Sequence, residues 1–301
     1  MEAAYYDFAA NLRIQEEMMA YTVRRVLDNC AGDLRDLGRD PAKLEPATQT
    51  PYPRLRYGKC IEMINRQRFE RLVWPGLEDQ ADKYGTSREA QYLSWLQGML
   101  ESHSSVEAAQ VAEEDVTEGG YALEGKHYVQ QHLPFKWGDD FGAPDEAAVG
   151  RAFDRPVFVT NFPIEIKGFY FKDELGSDGE PKLDDDYLAL HREQPHLVQP
   201  GATGYTVLGA DLIGSEGAGE LIGGSQREDD YERLVAKIER FKLPREYLEW
   251  YLDMRRFGNV PHSGFGVGLE RTLCWLCGGS DTPVHIRETI TYPRMLHQFE
   301  P

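Results

Sequence analysis

Glycines at alternate positions in the stretch HSGFGVGLER constrain the fold of this chain more than any other feature. They are Gly264, Gly266 and Gly268. Successive side chains of a β-strand point to opposite faces, so alternate glycines leave one face of a strand bare. We therefore expect a strand against which a planar ligand can lie, followed by a helix that begins near Glu270. The alternative is that the bare face serves only to pack a neighbouring helix.

Charged residues near this strand suit a phosphate or a metal ion. Arg271 at the head of the helix offers a guanidinium fork to a phosphate. In the stretch GELIGGSQRE, a glycine pair separates Glu220 from Arg227, and Asp211 belongs to the preceding strand-like segment. Two carboxylates suffice for a Mg²⁺ ion that substrate phosphates largely hold. The alternative is a surface salt bridge between Glu220 and Arg227.

Two other basic residues have more than one interpretation. Lys167, in PIEIKGFY, either extends along the sheet edge or faces an anionic substrate. His262 precedes the glycine-rich strand, where a hydrogen-bonded structural histidine is the more common role. The sequence contains neither a Gly-x-Ser-x-Gly elbow nor a P-loop, which disfavours serine hydrolases and P-loop nucleotide sites.

Composition narrows the class of protein. The 301 residues carry a net charge of −18, which disfavours nucleic-acid binding by bulk charge but not through a local basic patch. The pair Cys274 and Cys277 has no second pair or histidine at zinc spacing, so we expect buried helix residues rather than a zinc or redox site. There is no apolar run of the ~18 residues that span a membrane, and the acidic start has no signal core. These features predict a soluble, cytoplasmic protein.

The remaining pattern predicts alternating helices and strands. A surface insertion is expected between about Glu78 and Glu124, where the sequence becomes acidic and glycine-containing. Strands are predicted for PVFVTNF, GFYFK and Tyr205–Asp211. Helices are predicted for Phe8–Asn29, Arg227–Arg240 and Tyr247–Arg256.

Several longer stretches resemble one known family, in that family's order. They are PVFVTNFPIEIKGFY, GELIGGSQREDDYERL, EWYLDMRRFGNVPHSGFGVGLER and IRETITYPR. They look like the C-terminal part of a class II aminoacyl-tRNA synthetase core, and GVGLER resembles its motif 3. GGSQRE and WYLDMRRFG are more similar to the asparaginyl branch than to the aspartyl or lysyl branches. The resemblance implies an α+β fold, an antiparallel sheet flanked by helices, with residues 1–301 forming a partial catalytic core.

The resemblance also implies an ATP- and Mg²⁺-dependent ligase that activates asparagine or aspartate as an aminoacyl-adenylate. Arg271 would bind the γ-phosphate of ATP, and Gly266 and Gly268 would lie beside the adenine. The implied ATP site also includes Leu269 and Glu270.

Metal and amino-acid sites follow from the same resemblance. Glu220, with Asp211, would hold Mg²⁺ at the phosphates. Arg227 would bind the side chain of asparagine or aspartate. The remaining residues of the implied amino-acid pocket are Gly223, Lys167 and His262.

Some parts of the family pattern are not found in these residues, namely motif 1, motif 2 and the anticodon-binding module. A homodimer or a partner chain that supplies motifs 1 and 2 is therefore expected. Asparagine–tRNA ligation is the favoured activity, but these residues leave the acceptor open among tRNA, ammonia and another amine. Two alternatives remain at this point. One is a tRNA-independent amide ligase similar to the asparagine-synthetase relatives of the family, and the other is a catalytically inactive binding protein.

Overall fold

The computed structural model describes residues 1–72, 134–279, 284–290 and 292. The chain divides into a larger unit, Met1–Cys60 with Trp137–Pro301, and a smaller unit, Ile61–Lys136. In the smaller unit, the Asn65 side chain bonds both the N–H and the carbonyl of Phe135, at 2.7 and 3.0 Å. The insertion predicted at about 78–124 lies outside the described residues.

A six-stranded sheet organises the larger unit. Its strands, in chain order, are β1 (Glu2–Ala4), β2 (Arg54–Arg56), β3 (Val157–Thr160), β4 (Gly209–Gly214), β5 (Gly219–Gln226) and β6 (His262–Val267). Their spatial order is β1-β6-β5-β4-β3-β2. All neighbours pair antiparallel except β2 and β3, which are parallel. The predicted antiparallel sheet is thus confirmed with one parallel pair at its edge.

Helices connect and flank these strands. The described ones are α1 (Phe8–Asp36), α2 (Tyr57–Leu72), α3 (Ala143–Arg151), α4 (Asp185–Glu193), α5 (Tyr231–Arg240), α6 (Glu249–Arg256) and α7 (Leu269–Cys277). Among the described residues, none of these helices is long and apolar enough to cross a membrane.

The long helix α1 covers one face of the sheet. Its N-cap, Asp7, accepts a hydrogen bond from the N–H of Ala10 at 2.7 Å, which satisfies a free donor of the first turn. Its apolar stripe, which includes Leu12 and Val23, packs into the main core with strand residues such as Phe265. Because the core lies on this side, the opposite face of the central strands is left for polar groups.

Two predicted elements differ from the structure around Arg227. The helix expected from Arg227 begins only at Tyr231, because Asp230 caps it by accepting from the N–H of Arg233. The strand expected at GFYFK is absent from the described secondary structure. Instead, Phe171 makes a single antiparallel bridge with Arg227. Arg227 is therefore held by backbone pairing rather than by a helix.

The strand predicted for Tyr205–Asp211 begins later than expected. The continuous strand is β4, whereas Tyr205 makes an isolated bridge with Leu183. Cys274 and Cys277 lie on α7, as predicted, but both are half-buried rather than buried. The described residues contain no group of three or more His, Cys, Asp or Glu that could hold a metal ion.

Candidate active site

One face of the central strands is bare, as the alternating glycines predict. Phe265 points into the core, so its neighbours Gly264 and Gly266 both point to the opposite face. A side-chain carbon at Gly266 would meet no atom within 4 Å. A carbon at Gly223 of β5 would meet the Glu220 and Asp211 carboxylates. We call the face onto which Gly223, Gly264 and Gly266 point the glycine face.

A guanidinium–carboxylate pair lies at one end of the glycine face. Arg227 donates from Nε to Glu2 Oε1 at 2.8 Å and from Nη2 to Glu2 Oε2 at 2.9 Å. Its Nη1 donates to Ser225 Oγ at 2.6 Å, and the guanidinium lies 5.2 Å from the Tyr170 ring centroid. The hydrogen bond from Arg227 lowers the pKa of Glu2, although partial burial opposes the shift. Glu2 therefore stays ionised at neutral pH.

A side chain at Gly264 would displace this pair. A side-chain carbon at Gly264 would lie 1.8 Å from Glu2 Oε2 and 2.6 Å from Arg227 Nη2. The ion pair thus lies directly on the backbone of β6. His262, at the start of β6, donates from Nδ1 to the Val260 carbonyl at 2.9 Å, and its Nε2 lies 3.8 Å from Glu2 Oε1. His262 consequently belongs to the same end as Arg227.

Two carboxylates converge near Gly223. A carbon on Gly223 would lie 2.6 Å from Glu220 Oε1 and 3.6 Å from Asp211 Oδ1. Lys167 donates to Asp211 Oδ2 at 2.6 Å, and its ammonium lies 3.8 Å from the Phe162 ring centroid. Burial raises the pKa of Asp211 to about 6, although Lys167 opposes the shift. The structure therefore brings Lys167, Asp211 and Glu220 together, with Lys167 already ion-paired.

Arg271 lies beside the backbone of Glu220. Its Nη1 donates to the Glu220 carbonyl at 3.2 Å, and the side chain is 52% exposed. Glu146 of α3 accepts from the N–H of Glu220 at 2.9 Å and lies 3.8 Å from Arg271. The guanidinium is thus anchored at one N–H while the rest of it faces solvent.

The start of α7 accounts for the other residues of the predicted ATP site. Gly268 is the N-cap of α7, and a carbon there would lie 3.4 Å from the Arg271 side chain. Leu269 is exposed, and Glu270 occupies the first turn of the helix. These residues and Gly266 form one continuous segment that ends at Arg271.

Sequence reasoning missed Glu2, Ser225, Tyr170 and Glu146. Glu2 is the most important of them, because it is the partner of Arg227. The signal for it is the pairing of β1 with β6, which places Glu2 opposite Gly264. A separation of 225 positions along the chain hides that pairing from the sequence alone.

Comparison with known proteins identifies the family of the chain. The family model described as "tRNA synthetases class II (D, K and N)" matches residues 1–296. The chain is 38% identical over 300 residues to an asparagine–tRNA ligase of Desulforamulus reducens and 37% identical over 300 residues to one of Thermus thermophilus. Both matches cover 100% of this chain but 48% of the relative. The chain therefore spans about half the length of the curated relatives that it matches.

Solved structures show the same similarity. A crystal structure of asparaginyl-tRNA synthetase from Pyrococcus horikoshii, complexed with asparaginyl-adenylate, matches with a TM-score of 0.61 and 28% identity. The match covers 100% of this chain and 47% of that structure. The family match and these relatives show that the chain belongs to the class II tRNA synthetases of the D, K and N group.

Proposed function

We propose that this chain binds asparagine and ATP on the glycine face and takes part in the adenylate-forming step of an asparagine–tRNA ligase. The observation that carries the proposal is the pairing of Arg227 with Glu2 on the backbone of Gly264. The asparagine–tRNA ligases to which the chain is similar support tRNA as the acceptor. No observation favours a tRNA-independent amide ligase or a non-catalytic binding protein.

The Arg227–Glu2 pair favours asparagine over aspartate, a choice that the sequence leaves open. A side-chain amide carries a carbonyl acceptor and an NH₂ donor. Arg227 can donate to the carbonyl while Glu2 accepts from the NH₂ group. The carboxylate of aspartate has no donor for Glu2 and would bring a second negative charge beside it. Because Glu2 is ionised at neutral pH, the pocket repels aspartate.

ATP fits the other end of the glycine face. The open space above Gly266 can accept a planar base, since no side chain fills it. The exposed part of the Arg271 guanidinium can bind a terminal phosphate. Glu220 lies near the start of β5 and Arg227 directly follows its end, so their backbone positions are roughly 20 Å apart at ~3.3 Å per residue. This spacing separates the pyrophosphate end from the amino-acid side chain.

The carboxylates at Gly223 have the donor chemistry of a magnesium site. Mg²⁺ binds one or two carboxylates together with phosphate oxygens and water, so Glu220 and Asp211 would suffice. When bound, the metal would neutralise phosphate charge. Lys167 already neutralises Asp211 from the other side, which keeps that buried carboxylate in place.

The proposed reaction joins the two ligands. A carboxylate oxygen of asparagine attacks the α-phosphorus of ATP, the bond to the β-phosphate oxygen breaks, and pyrophosphate leaves. A tRNA hydroxyl then attacks the activated carbonyl and AMP leaves. Arg227 and Glu2 orient the amino acid, and Arg271 stabilises the charge of the leaving pyrophosphate.

Because the chain spans about half the length of its curated relatives, the complete reaction is proposed to need groups outside these residues, on the same polypeptide or on a partner chain. Motif 2, which would contact the α-phosphate, is among the parts that the sequence does not display. A cytoplasmic location is proposed, since charging requires tRNA.

Calorimetric titration with asparagine and with aspartate tests the choice of substrate. We expect the wild-type protein to bind asparagine at least about tenfold more tightly than aspartate, a difference of ~1.4 kcal/mol. Glu2→Gln is nearly isosteric and offers an amide donor to aspartate, so it should narrow this preference. Equal binding of the two amino acids by the wild-type protein would refute the proposal.

A further inference from the structure

A buried ammonium group contacts the backbone segments on either side of Arg227. Lys237 of α5 is 4% exposed. Its Nζ donates to the carbonyl of Phe171 and to Glu228 Oε2, the latter at 3.0 Å, and lies 2.7 Å from Asp173 Oδ1. Three oxygen atoms thus surround a group that has three N–H donors. A buried cation of this kind holds its neighbours in fixed positions.

The neighbours of Lys237 are the two backbone segments that meet at Arg227. Phe171 pairs with Arg227 in the antiparallel bridge, and Glu228 follows Arg227 in the chain. The bridge is extended on both sides, because Lys172 N–H donates to the Gln226 carbonyl at 2.9 Å and Glu228 N–H donates to the Tyr170 carbonyl at 2.8 Å. Lys237 therefore binds both sides of the bridge that sets the direction of Arg227.

The charge balance makes this contact necessary. Arg227 is followed by the acidic run Glu228-Asp229-Asp230, in a chain with a net charge of −18. Glu228 is nevertheless 1% exposed. An ionised carboxylate remains buried only when a cation and hydrogen bonds compensate it. Without Lys237, the Glu228 and Asp173 carboxylates would repel each other inside the protein and draw apart.

Other groups face the same cluster but do not replace Lys237. Lys172 bonds Asp229 and lies 3.8 Å from Glu228 Oε1. Arg255 of α6 donates from Nε to the Glu228 carbonyl rather than to its carboxylate, at 3.0 Å. The carboxylate also accepts from the N–H groups of Asp230 at 3.3 Å and Asp173 at 3.4 Å, which are neutral donors. None of these contacts reaches Phe171.

We propose that Lys237 is a positioning residue for Arg227: by holding Phe171 and Glu228 together, it fixes the guanidinium in the geometry that binds the asparagine side chain. The proposal rests on the proposed function only in taking asparagine as the ligand of Arg227. It assigns a role in ligand binding to a residue that lies outside the glycine face.

Four variants test the proposal. Lys237→Met removes the cation, Lys237→Arg retains it, and Glu228→Gln removes the carboxylate charge while keeping its size. Arg39→Met is the matched control. Arg39 is a buried cation, 2% exposed, that pairs with Glu216. Its replacement therefore also leaves a carboxylate without its cation, but away from the Arg227 end. Binding of asparagine and of ATP is measured by calorimetry. The Nε–H resonance of Arg227, assigned by its loss in Arg227→Lys, reports the position of the guanidinium without any ligand.

We expect Lys237→Met to weaken asparagine binding by about tenfold and to move the Arg227 resonance, with ATP binding changed by less than about twofold. Lys237→Arg should restore most of the loss, and Arg39→Met should leave the resonance in place. If Lys237→Met does not fold, Glu228→Gln should show the same pattern at about threefold.

An unmoved resonance with asparagine affinity within about twofold of wild type would overturn the positioning role, as would an equal loss in Arg39→Met. If the wild-type protein itself fails to bind asparagine, the proposed function fails. In that case the resonance of Arg227 still decides whether Lys237 positions it.

Discussion

The two ends of the glycine face differ in how completely their polar groups are already paired. At the Arg227 end, the guanidinium bonds both Glu2 and Ser225, and Gly264 leaves no room for another atom beneath them. At the other end, the space above Gly266 is open and Arg271 is half exposed. The Arg227 guanidinium is therefore held by two side chains, whereas that of Arg271 donates one hydrogen bond, to a backbone carbonyl.

Under the proposed function, this difference corresponds to the two ligands, the amino acid and ATP. Asparagine differs from aspartate only in having a side-chain amide in place of a carboxylate. A site that distinguishes the two needs hydrogen-bond donors and acceptors that are in position before the ligand binds. A nucleotide is large and highly charged, so room for the base and an accessible cation contribute most of its binding. We expect variants at the Arg227 end to affect the binding of asparagine alone. Variants at the end formed by Gly266 and Arg271 should affect the binding of ATP alone.

The largest effect is expected for Arg227→Ala. It removes a bidentate donor and leaves Glu2 without its cation, so asparagine binding should weaken by about 100-fold, or ~2.7 kcal/mol. ATP binding should change by less than about twofold. Calorimetry with each ligand measures both values. Arg227→Ala that binds asparagine like wild type would remove the basis for the amino-acid pocket.

Gly264→Ala and Gly266→Ala form a matched pair on one strand. The first places a carbon against Glu2 and Arg227 and should weaken asparagine binding by about 30-fold through displacement of charge-assisted hydrogen bonds. The second meets only open space, so the melting temperature should not fall, yet ATP binding should weaken by about tenfold. Thermal unfolding and calorimetry separate the two effects. A stable Gly266→Ala variant with normal ATP affinity would show that the adenine of ATP does not lie above Gly266.

Arg271→Ala should produce a smaller loss. The guanidinium is half exposed, and solvent screens its attraction for phosphate, so ATP affinity should fall by about fivefold. Asparagine affinity should stay within about twofold of wild type. Raising the salt concentration should weaken ATP binding to wild type more than to the variant. Salt dependence that is identical in the two proteins would argue against a phosphate contact.

The smallest effect concerns pH. Arg227 lowers the pKa of Glu2 below its usual 4.5, so the carboxylate of the folded protein stays ionised as the pH falls from 7 to 5. The contribution of the pair to stability is present above pH 4.5 and is lost only as the pH falls through the lowered value. Asparagine affinity should therefore change by less than about twofold between pH 7 and 5. A steep loss across that range would show that Glu2 is not held as described.

The features that the sequence predicts correctly are local. The bare face of β6 and the helix after it follow from glycine spacing within ten residues, and α1 follows from its apolar stripe. The segment around Arg227 is different, because Phe171 and Asp230 fix it through a distant bridge and a cap. Helical periodicity in the residues after Arg227 therefore extended the predicted helix too far toward the N-terminus.

The candidate site shows the same division. Arg227, Glu220 and Arg271 were predicted because each belongs to a recognisable motif on or next to the central strands. Glu2 was not, since its role depends on the register of β1 against β6 rather than on neighbouring residues. The ion pair of Lys167 with Asp211 was also missed, because it joins a turn to a strand 44 positions away.

A nitrogen–proton NMR titration of the wild-type protein with asparagine and, separately, with ATP tests the central claim most directly. The account predicts two separate footprints. Asparagine should move the Arg227 Nε–H resonance and the backbone resonances of Ser225 and Gly264. ATP should move those of Gly266, Gly268 and Arg271. Coincident footprints, or an asparagine footprint that leaves Arg227 unchanged, would contradict the division of the glycine face into two binding ends.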